Sequence, residues 1–182
     1  MPATTEPATT EPTRWAHPPV STSALVHTRV VIQRATVTLP AAASTPRDQD
    51  IAFVLRVAHH DAQSTVVRSW PAFQQLQRDL LRALEPGHAC HGVCVYLWED
   101  LRHNFDRPSA GTSLGAWWSL QRNVHTKETI QIYLRHFQEL LNSLLHVLHV
   151  DDVKCPRLRN LTSALCHFLA LEPKKRPCKA SA

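Results

Sequence analysis

Four residues able to ligate a soft metal fall within one short stretch, His88-Ala89-Cys90-His91-Gly92-Val93-Cys94, and tetrahedral zinc accepts both imidazole and thiolate. A zinc finger, however, pairs two short ligand doublets across an intervening element. No second doublet with that geometry follows, so the stretch reads as loop residues and half-buried cysteines, and no metal is assigned. A zinc-binding regulatory module would rest on residues 88–94 alone. His146, His149 and His167 flank leucine stripes and read as interface histidines. The chain has no Gly-x-Ser-x-Gly turn, glycine-rich phosphate loop, His-Glu-x-x-His helix or paired carboxylates, the arrangements that nucleophilic, phosphoryl-transfer and hydrolytic chemistry require. An enzyme is not expected, and no cofactor is called for.

Chemistry suited to a membrane surface is better represented. Leu114-Gly115-Ala116-Trp117-Trp118 places two indoles side by side, and tryptophan favours the headgroup boundary of a bilayer. The alternative is that one or both rings close the core beneath their loop. Lys174, Lys175, Arg176 and Lys179 put four positive charges after Pro173 with no acid among them. Such a run suits a nuclear signal, a polybasic membrane anchor or a soluble end. The whole chain carries +5, of which the tail supplies four and the first 22 residues −1, leaving +2 for residues 23–172. That near-balance argues against a broad nucleic-acid footprint and leaves room for a narrow anion pocket.

The elements that must position these groups can be read from periodicity. The leading PATTEPATTEPT is a duplicated Thr/Pro-rich unit with nothing apolar to bury, so residues 1–22 are expected to be disordered. Val30-Val31-Ile32 and Thr36 to Leu39 predict a first strand ended by Pro40. Ile51, Phe53, Leu55 and Val57 alternate with Ala52, Val54, Arg56 and Ala58, the pattern of a strand with one strongly apolar face. Ser64 to Trp70 is β-branched again after a polar turn at His59 to Gln63, which predicts a hairpin. Pro71 suits the first turn of a helix, and Phe73, Leu76, Leu80, Leu81 and Leu84 recur at helical spacing until Pro86-Gly87.

Residues 87–123 read as irregular, longer than a passive connector needs. Thr126 then caps a long helix whose Ile130, Leu134, Phe137, Leu141, Leu144 and Leu148 form a stripe expected to pack on the sheet. Pro156 restarts the pattern, and Leu158, Leu161, Leu165, Phe168 and Leu169 define a last helix before Pro173.

With 182 residues and 43% hydrophobic content the chain can bury one core, whereas two would each be marginal. Four glycines and thirteen prolines do not supply the repeated turns of an all-β barrel or sandwich. The expected fold class is α+β, with a three-stranded antiparallel sheet packed against three or more helices. Five cysteines, with no leading apolar segment resembling a signal peptide, point to a reducing, intracellular compartment. Ile130 to Val150 is interrupted by Arg135, His136, Gln138, Glu139 and Asn142, so any membrane contact is expected to be peripheral.

Two stretches resemble the phox-homology (PX) family. Thr65-Val66-Val67-Arg68-Ser69-Trp70-Pro71-Ala72-Phe73, followed by Leu76 and Leu80, is similar to that family's strand-to-helix signature of basic, basic, aromatic, small, any, Phe. Lys127 to Leu134, with the leucines beyond, resembles the start of its long helix. The order of elements over residues 23–172 matches as well, with residues 173–182 left as a basic disordered tail. The resemblance implies a PX-like domain whose phosphoinositide head group is held by Arg68, Trp70, Arg107 and Lys127, with Trp117 and Trp118 inserted in the bilayer. Arg107 stands in Asp106-Arg107-Pro108, the remnant of the family's proline-rich stretch.

The slot just before the signature aromatic is Ser69 instead of arginine, and Arg68 on the preceding residue points to the opposite face of its strand. The implied function is peripheral targeting to phosphoinositide-containing membranes in endosomal or vesicle trafficking, at the cytoplasmic face, with no nucleic-acid partner. The alternative is a protein-interaction scaffold that keeps the fold without lipid binding, and Ser69 is the feature that favours it.

Overall fold

β2, Ile51–His59, is the central strand of the sheet, and its inward residues Ile51, Phe53, Leu55 and Val57 are all fully buried. The computed structural model describes residues 25–41, 45–84, 92–105, 116, 118–119, 122, 124–150 and 155–171. The expected tails at 1–22 and 173–182 lie outside these residues. β1, Thr28–Val37, and β3, Ala62–Ser69, pair antiparallel on either side of β2. Phe53 stands opposite Ala35 and Arg68, and Leu55 opposite Ile32 and Val66. Gln33 is an extra residue in β1, where the register shifts between Ile32 and Arg34, a bulge that adds local bend and twist. β2 turns into β3 through His60 and Asp61, with His60 at φ 51° supplying the left-handed step that a two-residue hairpin needs.

Four helices are described; the first and third pack against the strands, and the second and fourth pack on the first. They are α1 (Trp70–Leu84), α2 (Cys94–Asn104), α3 (Lys127–Val150) and α4 (Pro156–Phe168). The fold is therefore α+β, a three-stranded antiparallel sheet packed against helices, as its patterning predicts. Trp70 opens α1 instead of closing β3, so the strand ends one residue earlier than its β-branched composition suggests. The larger correction is α2, which occupies part of the stretch expected to be irregular. Its buried Cys94, Leu97 and Leu101 do recur at helical spacing, but exposed Val95 and Tyr96 interrupt the apolar face.

Thr126 caps α3 as expected. Its Oγ1 accepts from Thr129 N–H at 3.2 Å, while Thr129 Oγ1 accepts from Thr126 N–H at 2.7 Å, so two otherwise orphaned donors are satisfied reciprocally. Pro156 starts α4, where a missing N–H costs nothing.

The elements meet in an aromatic hub. Phe53 from β2 stands edge-on to Phe73 of α1 and to Phe137 of α3, each at 5.3 Å between ring centroids. Phe73 and Phe137 stack at 4.2 Å, and Phe168 of α4 meets Phe73 at 4.9 Å. Edge-to-face and stacked pairs of this kind each add about 0.5–1.5 kcal/mol beyond simple burial.

α3 lies along β1, where the Gln138 amide acts as a surrogate strand. Its Oε1 accepts from Ile32 N–H at 2.6 Å and its Nε2 donates to Val30 O at 2.9 Å. An edge strand otherwise offers those groups to another chain. Among the described residues no helix is long and apolar enough to cross a membrane.

Candidate functional site

The signature residues divide sharply once folded. Arg68 faces the core side of β3 opposite Phe53. Its Nε donates to Phe168 O at 2.6 Å, its Nη1 donates to Val67 O at 3.1 Å, and its guanidinium lies 5.5 Å from the Phe168 ring centroid. The acceptor is the last residue of α4, where helix carbonyls lack intrahelical partners and a cation is favoured. Partial burial lowers the Arg68 pKa from its ordinary value. Arg68 thus ties β3 to the end of α4, a structural use of the cation that the resemblance assigns to a head group. Ser69 points the other way and is exposed.

Trp70 is 4% exposed. Its ring lies 4.2 Å from Tyr133, 5.3 Å from Phe137 and 5.3 Å from His125, centroid to centroid. Its indole is thereby a wall of the core, packed against His125 just before α3 and Tyr133 within it.

His125 is a residue that the sequence reading passed over. Its side chain is 2% exposed, and Nε2 meets Asp48 Oδ1 at 2.5 Å. The His125 backbone N–H donates to Pro46 O at 2.9 Å. Together these contacts clamp the segment before β2 onto the entry to α3. The other ring nitrogen, Nδ1, is buried without a hydrogen-bond partner among the described residues. Asp48 lies 77 positions from His125 in the chain, and neither stands in a pattern that announces a pairing across that separation.

Lys127 is exposed at the first position of α3, one residue beyond the Thr126 cap. Nearby in the chain, Ala116, Trp118 and Ser119 are helical, and Trp118 is 56% exposed. The Arg122 guanidinium lies 5.3 Å from the Trp118 ring centroid, within the range of cation–π attraction. Arg122 N–H donates to Trp118 O at 3.3 Å and to Ser119 O at 3.2 Å, and Val124 N–H donates to Ser119 O at 3.0 Å. This tight turn fixes Arg122 beside the indole. The Pro46–His125 hydrogen bond also brings exposed Arg47 toward the same end of α3. The stretch leading into α3 thus combines an exposed aromatic ring paired with Arg122 and an exposed Lys127, followed by the acid Glu128.

Arg107 and Trp117 lie outside the described residues, as do His88, Cys90 and His91 of the proposed ligand stretch. Cys94 is described and is a core residue, buried at the start of α2. Among the described residues no three His, Cys, Asp or Glu side chains come together as a metal site. Of the sequence-predicted site, then, Trp118 and Lys127 are exposed, nine positions apart in the chain, whereas Arg68 and Trp70 are built into the interior contacts. No family model matches the chain, and no curated protein matches it.

Proposed function

We propose that this chain is a PX-like peripheral membrane-targeting module that docks on phosphoinositide-bearing membranes at the cytoplasmic face of endosomes or vesicles, and that it is not an enzyme. The observation that carries this reading is the stretch at Trp118, where a mostly exposed indole is held next to Arg122 and followed in the chain by exposed Lys127 at the head of α3. Indoles partition to the headgroup boundary, and guanidinium and ammonium groups donate to phosphate oxygens. The tail cations Lys174, Lys175, Arg176 and Lys179 would add a general attraction to anionic lipid, roughly 1 kcal/mol per basic residue near the surface and screened by salt. Coincidence of these weak contacts gives reversible attachment.

A second reading, a protein-interaction scaffold without lipid binding, is favoured by the commitment of Arg68 to Phe168 O and by Ser69 in the preceding-aromatic slot. Vesicle sedimentation separates the two. Vesicles of phosphatidylcholine alone, with phosphatidylserine, and with each phosphoinositide are compared at low and high salt. The membrane reading expects retained phosphoinositide preference at high salt and its loss in an Arg122→Ala, Lys127→Ala double variant. Wild-type protein with no preference over phosphatidylserine at high salt would leave the scaffold reading in its place.

A further inference from the structure

Two thiols from distant parts of the chain meet at the junction of α2 and α4. Cys94 is the first residue of α2 and Cys155 is the residue that precedes α4, yet their Sγ atoms are 3.6 Å apart. A disulfide bond is about 2.05 Å long, so closing the gap needs a shift of roughly 1.5 Å shared between two side chains. Both ends are anchored. Leu97 N–H donates to Val93 O at 2.9 Å in the first turn of α2, and Leu158 N–H donates to Cys155 O at 3.1 Å in that of α4. Cys94 is 1% exposed, whereas Cys155 is half-buried and is the less enclosed residue of the two.

We propose that Cys94 and Cys155 form a reversible intramolecular disulfide under peroxide, making the junction of α2 and α4 an oxidation site. Cys155 sulfur attacks one oxygen of hydrogen peroxide, the O–O bond breaks, and the departing hydroxide takes up the thiol proton as water. This leaves a sulfenic acid on Cys155. The Cys94 sulfur then attacks the Cys155 sulfur, the S–O bond breaks as the S–S bond forms, and the second hydroxide leaves with the Cys94 proton as water. Two thiols lose two protons and two electrons, and one peroxide becomes two waters. A thiol reductant reverses the step through a mixed disulfide.

Cys166 is an internal contrast. It is 4% exposed in α4, and burial pushes its pKa up to about 11, so it holds its proton and lacks the thiolate that reacts. The new bond would join residues 61 positions apart, which restricts the unfolded chain far more than the folded one.

The test uses the full chain, oxidised with limited hydrogen peroxide, blocked by alkylation and digested without reduction for mass spectrometry. The expected product is a peptide pair joining Cys94 to Cys155, lighter than the two thiol peptides by two hydrogens, with Cys166 recovered as thiol after unfolding. The oxidised protein should melt roughly 5–10 °C above the reduced protein. Cys155→Ser, which changes only the less buried partner, should abolish both the cross-link and that difference. A cross-link through Cys90 or Cys178 instead, a bond between two chains, or oxygen added to Cys155 without a cross-link would overturn the proposal.

Discussion

Trp70 and Trp118 are chemically identical and each sits in a helical segment, yet one is 4% exposed and the other 56%. Around Trp70 four rings converge, those of Phe53 from β2, His125 from the segment before α3, and Tyr133 and Phe137 from α3. At Trp118 one ring shares its face with Arg122. The difference teaches that an aromatic next to basic residues in sequence is not thereby a recognition residue. At Trp70 the neighbouring cation, Arg68, is itself drawn into the fold by Phe168 O, whereas at Trp118 the neighbouring cation stays on the surface.

Substitutions can break or sharpen this contrast. Trp70→Ala should cost about 3–5 kcal/mol in chemical denaturation, because it empties a buried volume between α1 and α3. A loss below 1 kcal/mol would show that the indole is not a wall of the core. Arg68→Ala removes a charge-assisted hydrogen bond at 2.6 Å and a ring contact. It should cost roughly 1–2 kcal/mol, since part of the guanidinium remains in contact with water. The same variant should retain its vesicle binding when assayed well below its melting temperature. Selective loss of phosphoinositide binding without loss of stability would return Arg68 to the ligand set. Smallest in stability is Trp118→Ala, expected within about 0.5 kcal/mol of wild type. Its effect should appear in vesicle binding that persists at high salt, because buried aromatic surface is not a screened charge.

Much of the fold was readable because it rests on short-range periodicity. The alternation through Ile51 to Val57, the stripe from Phe137 to Leu148 and the cap at Thr126 each involve residues within a few positions of one another, and all are found where expected. α2 was missed because Val95 and Tyr96 break its apolar face and the neighbouring His and Cys suggested a ligand loop. The candidate site was readable only in part. Trp118 and Lys127 stand out by residue type and position, but nothing in the chain near Arg68 says that its partner is a carbonyl 100 residues away.

By itself, the amino-acid sequence determined the fold class, the order of most elements and which faces are buried, since a residue's hydrophobicity and its spacing from near neighbours suffice to set an amphipathic strand or helix. Tertiary structure alone decided which polar groups are occupied. Arg68 with Phe168, His125 with Asp48, Gln138 with the edge of β1, and Cys94 with Cys155 are all pairings across more than sixty residues. The physical reason is that hydrophobic burial is non-directional and tolerates many arrangements. A hydrogen bond or a sulfur contact exists only when two particular atoms arrive within about 3–4 Å in the right orientation.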